Sequence, residues 1–75
     1  MSAVPVLKLR QVIGILTALG FTEVRQRGPH KRFRHPDGRA TTVPAHPGRD
    51  LSPLLVRQIA RDIDLTVDDI ARHRQ

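Results

Sequence analysis

Punctuation limits what this chain can fold into more than any other feature of its sequence. Gly20, Gly28-Pro29, Pro36-Asp37-Gly38, Pro44 and Ser52-Pro53 divide 75 residues into short segments, none of which can fold alone. Between Leu7 and Leu19 the apolar residues Leu9, Val12, Ile13, Leu16 and Leu19 recur at threes and fours, which predicts an amphipathic helix, and Gly20 supplies its C-cap. From Phe21 to Arg27 the helical period is lost and β-branched residues enter, so this stretch reads as a strand broken by Gly28-Pro29. His30 to Arg34 is a second strand with Phe33 as its one strongly apolar residue, and His35-Pro36-Asp37-Gly38 is a turn. Arg39 to Val43 returns as a third strand that ends at Pro44, which has no N–H for a ladder. The segment 45–50 reads as a loop.

Helical signals resume at Ser52-Pro53, an N-cap serine followed by proline where a missing N–H costs nothing. Leu55, Ile59 and Ile63 form the expected buried stripe, with Val56 and Leu51 in support. Thr66 followed by Asp69 has the spacing of a capping box and predicts a short last helix to about Ala71. The order is helix, three strands, two helices: a small α+β fold with an antiparallel sheet covered by helices on one face. No repeat or linker divides it, so residues 1–75 are expected to form one domain, with a core limited by burial of only ~60% of the unfolded surface at about this size.

The absence of cysteine removes disulfide and thiolate-metal frameworks, and it fits a cytoplasmic protein. The start Met1-Ser2-Ala3-Val4-Pro5-Val6 lacks an apolar leader core, and no stretch approaches the roughly 20 apolar residues of a membrane span. A soluble, unprocessed chain with no membrane partner is expected.

Net charge is +6, and its location matters more than its total. Residues 1–24 carry +1 and residues 50–75 carry −1, so the excess lies between Arg25 and Arg49. There Arg25, Arg27, Lys31, Arg32, Arg34, Arg39 and Arg49 face Asp37 alone. Such a hairpin suits phosphate oxygens, and its affinity should be salt-dependent and poor in base identity. Phe21 and Phe33 are the only aromatic residues, so no stacking platform of several rings is available, and shape-based or double-stranded contact is favoured. DNA reading by the helix from Pro53 is disfavoured, because Arg57 and Arg61 are offset by Asp62 and Asp64.

His30 opens the second strand among Arg27, Lys31 and Arg32. Histidine exchanges a proton near neutral pH, as needed to activate a ribose 2′-OH or protonate a leaving 5′ oxygen, and neighbouring cations would stabilise charge on the phosphate. The plainer alternative is a surface histidine that touches phosphate. His46 is a second candidate for acid/base or phosphate contact, or else a residue that orders a turn. His35 and His73 receive no role. A zinc site from His30, His35 and His46 lacks any recognised ligand spacing, so neither metal nor cofactor is expected.

The run from Leu16 to Ile70 resembles the HicA family of bacterial toxins. The resemblance is carried by Leu16-x-x-Leu19-Gly20-Phe21, Arg25-Gln26-Arg27-Gly28-Pro29-His30, Arg34-His35-Pro36-Asp37-Gly38-Arg39, Thr42-Val43-Pro44-Ala45-His46 and the helical tail from Leu55 to Ile63, in that order and spacing. It implies a double-stranded-RNA-binding-domain-like α-β-β-β-α core with a short extra C-terminal helix. It also implies cleavage of mRNA, as an mRNA interferase of a type II toxin–antitoxin system, and silencing by a HicB-like antitoxin. The family's Gly-Ser-His motif falls on Gly28-Pro29-His30, which makes His30 the implied catalytic residue. Pro29 stands in the serine's place and offers neither hydroxyl nor N–H. The RNA-binding set expected around His30 is Arg25, Arg27, Gly28, Lys31, Arg32, Arg34 and His46. A non-catalytic RNA-binding module of the same fold is the alternative.

Overall fold

The computed structural model describes residues 6–46 and 50–73. The N-terminal reading over residues 1–5, the middle of the predicted loop at 47–49 and the charge of Arg49 lie outside the described residues. The elements are β1 (Leu7–Lys8), α1 (Leu9–Ala18), β2 (Thr22–Arg27), β3 (His30–Arg34), β4 (Ala40–Pro44), β5 (Asp50–Leu51), α2 (Pro53–Asp62) and α3 (Val67–Arg72). The fold is α+β, built on a three-stranded antiparallel sheet of order β2-β3-β4 with helices, as in double-stranded-RNA-binding domains.

Two short strands were not expected from the sequence. Leu7 and Lys8 do not begin the first helix but pair antiparallel with Leu51 and Asp50, closing a two-residue ribbon. The pairing buries Leu7 at 1% and Leu51 at 3% exposure; Leu51 was expected to support the buried α2 stripe, whereas apolar burial draws Leu7 out of the helix that local pattern assigns it. Helix α1 accordingly starts at Leu9, with Gln11 reaching back to accept from the Lys8 backbone N–H at 2.9 Å.

The C-terminus of α1 follows the glycine signal. Gly20 has φ +96°, Phe21 N–H donates to Leu16 O at 2.9 Å and Gly20 N–H donates to Thr17 O at 3.0 Å, the paired bonds of a Schellman motif. Helix α2 ends in the same pattern, Leu65 N–H to Ala60 O at 2.9 Å and Asp64 N–H to Arg61 O at 3.2 Å, but the left-handed residue is Asp64 at φ +60°. Ser52 Oγ caps α2 by accepting from Leu55 N–H, and the Thr66/Asp69 box opens α3 as the spacing predicts.

The core lies between the helices and one face of β3 and β4. It comprises Leu7, Val12, Ile15, Leu16, Phe21, Phe33, Val43, Leu51, Val56, Ile59, Ala60, Ile63 and Ile70. Ile15, which falls off the expected stripe, is buried, whereas Leu9, Ile13 and Leu19 are only partly covered. On α2, Val56 is central and Leu55 peripheral. Among the described residues one polar side chain enters the core: Thr41, 1% exposed, donates its hydroxyl to Asp62 Oδ2 at 2.9 Å and so ties β4 to the end of α2.

A second tie joins the β3–β4 turn to both helix ends. Arg39 donates to both carboxylate oxygens of Asp37, from its backbone N–H and its Nε, and reaches the carbonyl of Ile63 with Nη1. The guanidinium lies 5.2 Å above the Phe21 ring, which meets the His35 ring edge-on at 5.0 Å. His35 Nδ1 accepts from the Asp37 N–H at 3.0 Å. Among the described residues, then, His35 and Arg39 act as fasteners between turn, α1 and α2. The Asp37 carboxyl is held below the usual carboxylate range, first by the Arg39 backbone N–H and then by its guanidinium.

Candidate nucleic-acid interface

Strand alternation sorts the basic hairpin into two faces. Register pairs Arg27 with His30 and His30 with Pro44, Arg25 with Arg32 and Arg32 with Thr42, and Thr22 with Arg34 and Arg34 with Ala40. These three rows share the face opposite the helices, since the intervening residues Phe33, Thr41 and Val43 are the buried ones. His30, Arg25, Arg27, Arg32 and Arg34 are thus brought together on one open surface, and all five are exposed.

An irregularity between Glu23 and Arg25 makes this possible. Without the extra residue of the bulge, Arg25 and Arg27 would fall on the helix side of β2, because a one-residue slip reverses every side chain. Val24, at the bulge, is 56% exposed and lines an open depression with Arg25, Arg32, Arg34, Gly38 and Ala40. Arg32 is oriented within it by donating from Nη1 to Thr42 Oγ1 at 3.1 Å. Composition gave no reason to select Thr42; the alternation of residues 40, 42 and 44 against 34, 32 and 30 would have.

The structure does not bring Lys31 to this group. It shares the helix-side face with Val43 and Gln26, is half-buried, and pairs with Glu23 at 3.4 Å. Gly28, at φ +53°, forms the tight β2–β3 turn, and its carbonyl accepts from Gln26 Nε2 at 3.2 Å. A backbone hydrogen bond from Ala45 N–H to Pro29 O closes the same end of the sheet. His46 follows Ala45 there, exposed, near the end of the sheet that carries His30. Among the described residues no group of three or more His, Cys, Asp or Glu side chains is arranged to hold a metal ion. No helix among them is long and apolar enough to cross a membrane.

A helix-backed antiparallel sheet with an arginine-lined open face defines a small α+β domain of the double-stranded-RNA-binding-domain type. Residues 9–65 match the family described as the HicA toxin of bacterial toxin–antitoxin systems, and the chain belongs to that family. It is therefore a toxin of a toxin–antitoxin system. The match takes in all of α1, the hairpins and α2 and stops before α3, short of the Ile70 limit drawn from motifs. No curated protein gave a significant match to the chain.

Proposed function

We propose that the protein is an endoribonuclease that cleaves mRNA in the cytoplasm, with His30 as general acid/base, and that a HicB-like antitoxin neutralises it. The observation that carries this reading is the position of His30 in one row with Arg27, on the same open face as Arg25, Arg32 and Arg34. A phosphodiester laid against that face meets a proton-exchanging imidazole and guanidinium donors together. In the reaction His30 takes the proton of a ribose 2′-OH, the 2′ oxygen attacks the adjacent phosphorus, and the bond to the 5′ oxygen breaks with protonation of that oxygen. Arg27, in the same row, holds the non-bridging oxygens as charge gathers on them. The products are a 2′,3′-cyclic phosphate and a free 5′-hydroxyl, and the balance needs neither metal nor cofactor. His46 is the candidate for the complementary proton transfer. The cationic face also suits an acidic antitoxin surface that occludes it.

Incubation of the purified protein with mRNA tests the assignment. Wild type should fragment the RNA, and His30→Ala should leave it intact while keeping the wild-type circular dichroism; cleavage by the variant at the wild-type rate would overturn the role of His30. Pro29 favours one alternative, a non-catalytic RNA-binding module, because it lacks the hydroxyl and N–H of the family serine. That module would bind RNA in a salt-sensitive manner without cutting it.

A further inference from the structure

The cations of the open face form a narrow file. Successive rows are two residues apart along the strands, about 6.7 Å. The β2 and β3 columns hold the arginines, whereas the β4 column is Ala40, Thr42 and Pro44, without charge. His30 is the first residue of β3, so among the described residues the file of Arg25, Arg32 and Arg34 extends from it in one direction only. In the other direction the strands end at the Gly28-Pro29 turn. Apart from the His30 imidazole at its end the face carries no aromatic ring, since Phe21 and Phe33 are 3% and 2% exposed on the helix side.

We infer that this face takes a single RNA strand laid along β3, gripped by the described arginines on one side of the cut only and read without base identity. The inference rests on the ribonuclease reading and adds the path and footprint of its substrate. With the scissile phosphate at His30 and Arg27, the next phosphate meets Arg25 and Arg32 and the one after it meets Arg34. Two neighbouring columns are only about 4.8 Å apart, too narrow to span the two backbones of a duplex, whose recognition domains typically cover ~16 base pairs. A single strand has the slenderness the file requires, which reverses the double-stranded contact expected from the scarcity of aromatic residues. Sugars and bases then lie over the small side chains of β4, Ala40, Thr42 and Pro44, where Thr42 accepts from Arg32 and no aromatic side chain is present to stack on a base. Sequence preference at these positions should accordingly be weak.

The test is cleavage of short oligoribonucleotides that carry one cut site and are trimmed one nucleotide at a time from either end. Removing each of the first two nucleotides on the gripped side should lower kcat/KM by roughly tenfold, the value of one charged contact. The same trimming on the other side should change it by less than about twofold. Arg34→Gln should erase the benefit of the second nucleotide and spare that of the first. Equal losses at both ends, faster cleavage of the duplex form, or an Arg34→Gln variant that keeps the full length dependence would each overturn the inference. Were wild type to cut nothing, the ribonuclease reading would fail by itself. The path would still be decided by binding of 2′-O-methyl oligonucleotides: single strand over duplex, with a log–log salt slope of about −2 for three phosphates, supports it, and duplex preference or a much steeper slope refutes it.

Discussion

Lys31 and Arg32 are chain neighbours of the same charge, and the pleat gives them opposite surroundings. Arg32 lies in the arginine file with its guanidinium set by Thr42, whereas Lys31 is on the helix side in an ion pair with Glu23. Neutralising each in turn separates a positional account of RNA binding from one that depends only on total charge. For Arg32→Gln one phosphate contact is lost; at an exposed site it contributes about 1.5 kcal/mol, the low end for a charged hydrogen bond. Affinity should therefore fall roughly tenfold, and the magnitude of the salt slope should fall by about 0.7. Lys31→Gln removes the same unit of charge from the far side of the sheet, where ionic screening over ~8 Å at physiological salt blunts its reach. Its affinity should stay within about twofold with the slope unchanged, and its stability should fall by no more than ~1 kcal/mol, as for a surface ion pair. Fluorescence anisotropy with a 2′-O-methyl oligonucleotide across a salt series measures both quantities without cleavage. Equal losses in the two variants, or a larger one for Lys31→Gln, would refute the assignment of faces.

The two helix ends make a matched pair of predictions with opposite signs. Gly20→Ala adds a Cβ at φ +96° that would stand 3.0 Å from His35 Nε2, so thermal unfolding should show a loss of about 1–2 kcal/mol, the cost of a left-handed alanine. Asp64→Gly relieves the same kind of backbone at φ +60° and should stabilise by up to ~1 kcal/mol, or about 4–8 °C in Tm for a domain of this size. The Asp37–Arg39 contacts set an acid limit. Because the folded-state carboxyl of Asp37 titrates below its unfolded value of 3.8, its contribution is complete above about pH 5 and disappears as pH falls through the folded value. The difference in Tm between wild type and Asp37→Asn should be fully present at pH 5 and shrink below pH 4; a difference that grows from pH 5 to pH 3 would contradict the ion-pair geometry.

Much of the architecture was legible because its signals are local. Gly20 ends α1, Ser52-Pro53 and Thr66-Asp69 open α2 and α3, and the Pro-Asp-Gly turn joins β3 to β4, each through bonds made within a few residues. The concentration of positive charge between Arg25 and Arg49 and the place of His30 at a strand start were readable for the same reason. Pairing of Leu7 with Leu51 was not, since neither residue carries a strand signal and the two meet only when a shared core buries both. The division of the basic hairpin was equally hidden. Which arginines stand beside His30 depends on the β2–β3 register and on one irregularity between Glu23 and Arg25. Sequence by itself determined that this protein would have a strongly basic hairpin opening on a histidine. Only the tertiary structure decided that Arg25, Arg27, Arg32 and Arg34 share its face while Lys31 turns to the helices. Register is a non-local quantity, chosen by which side of the sheet can bury Phe33 and Val43 against α1 and α2, and the charges follow from that choice.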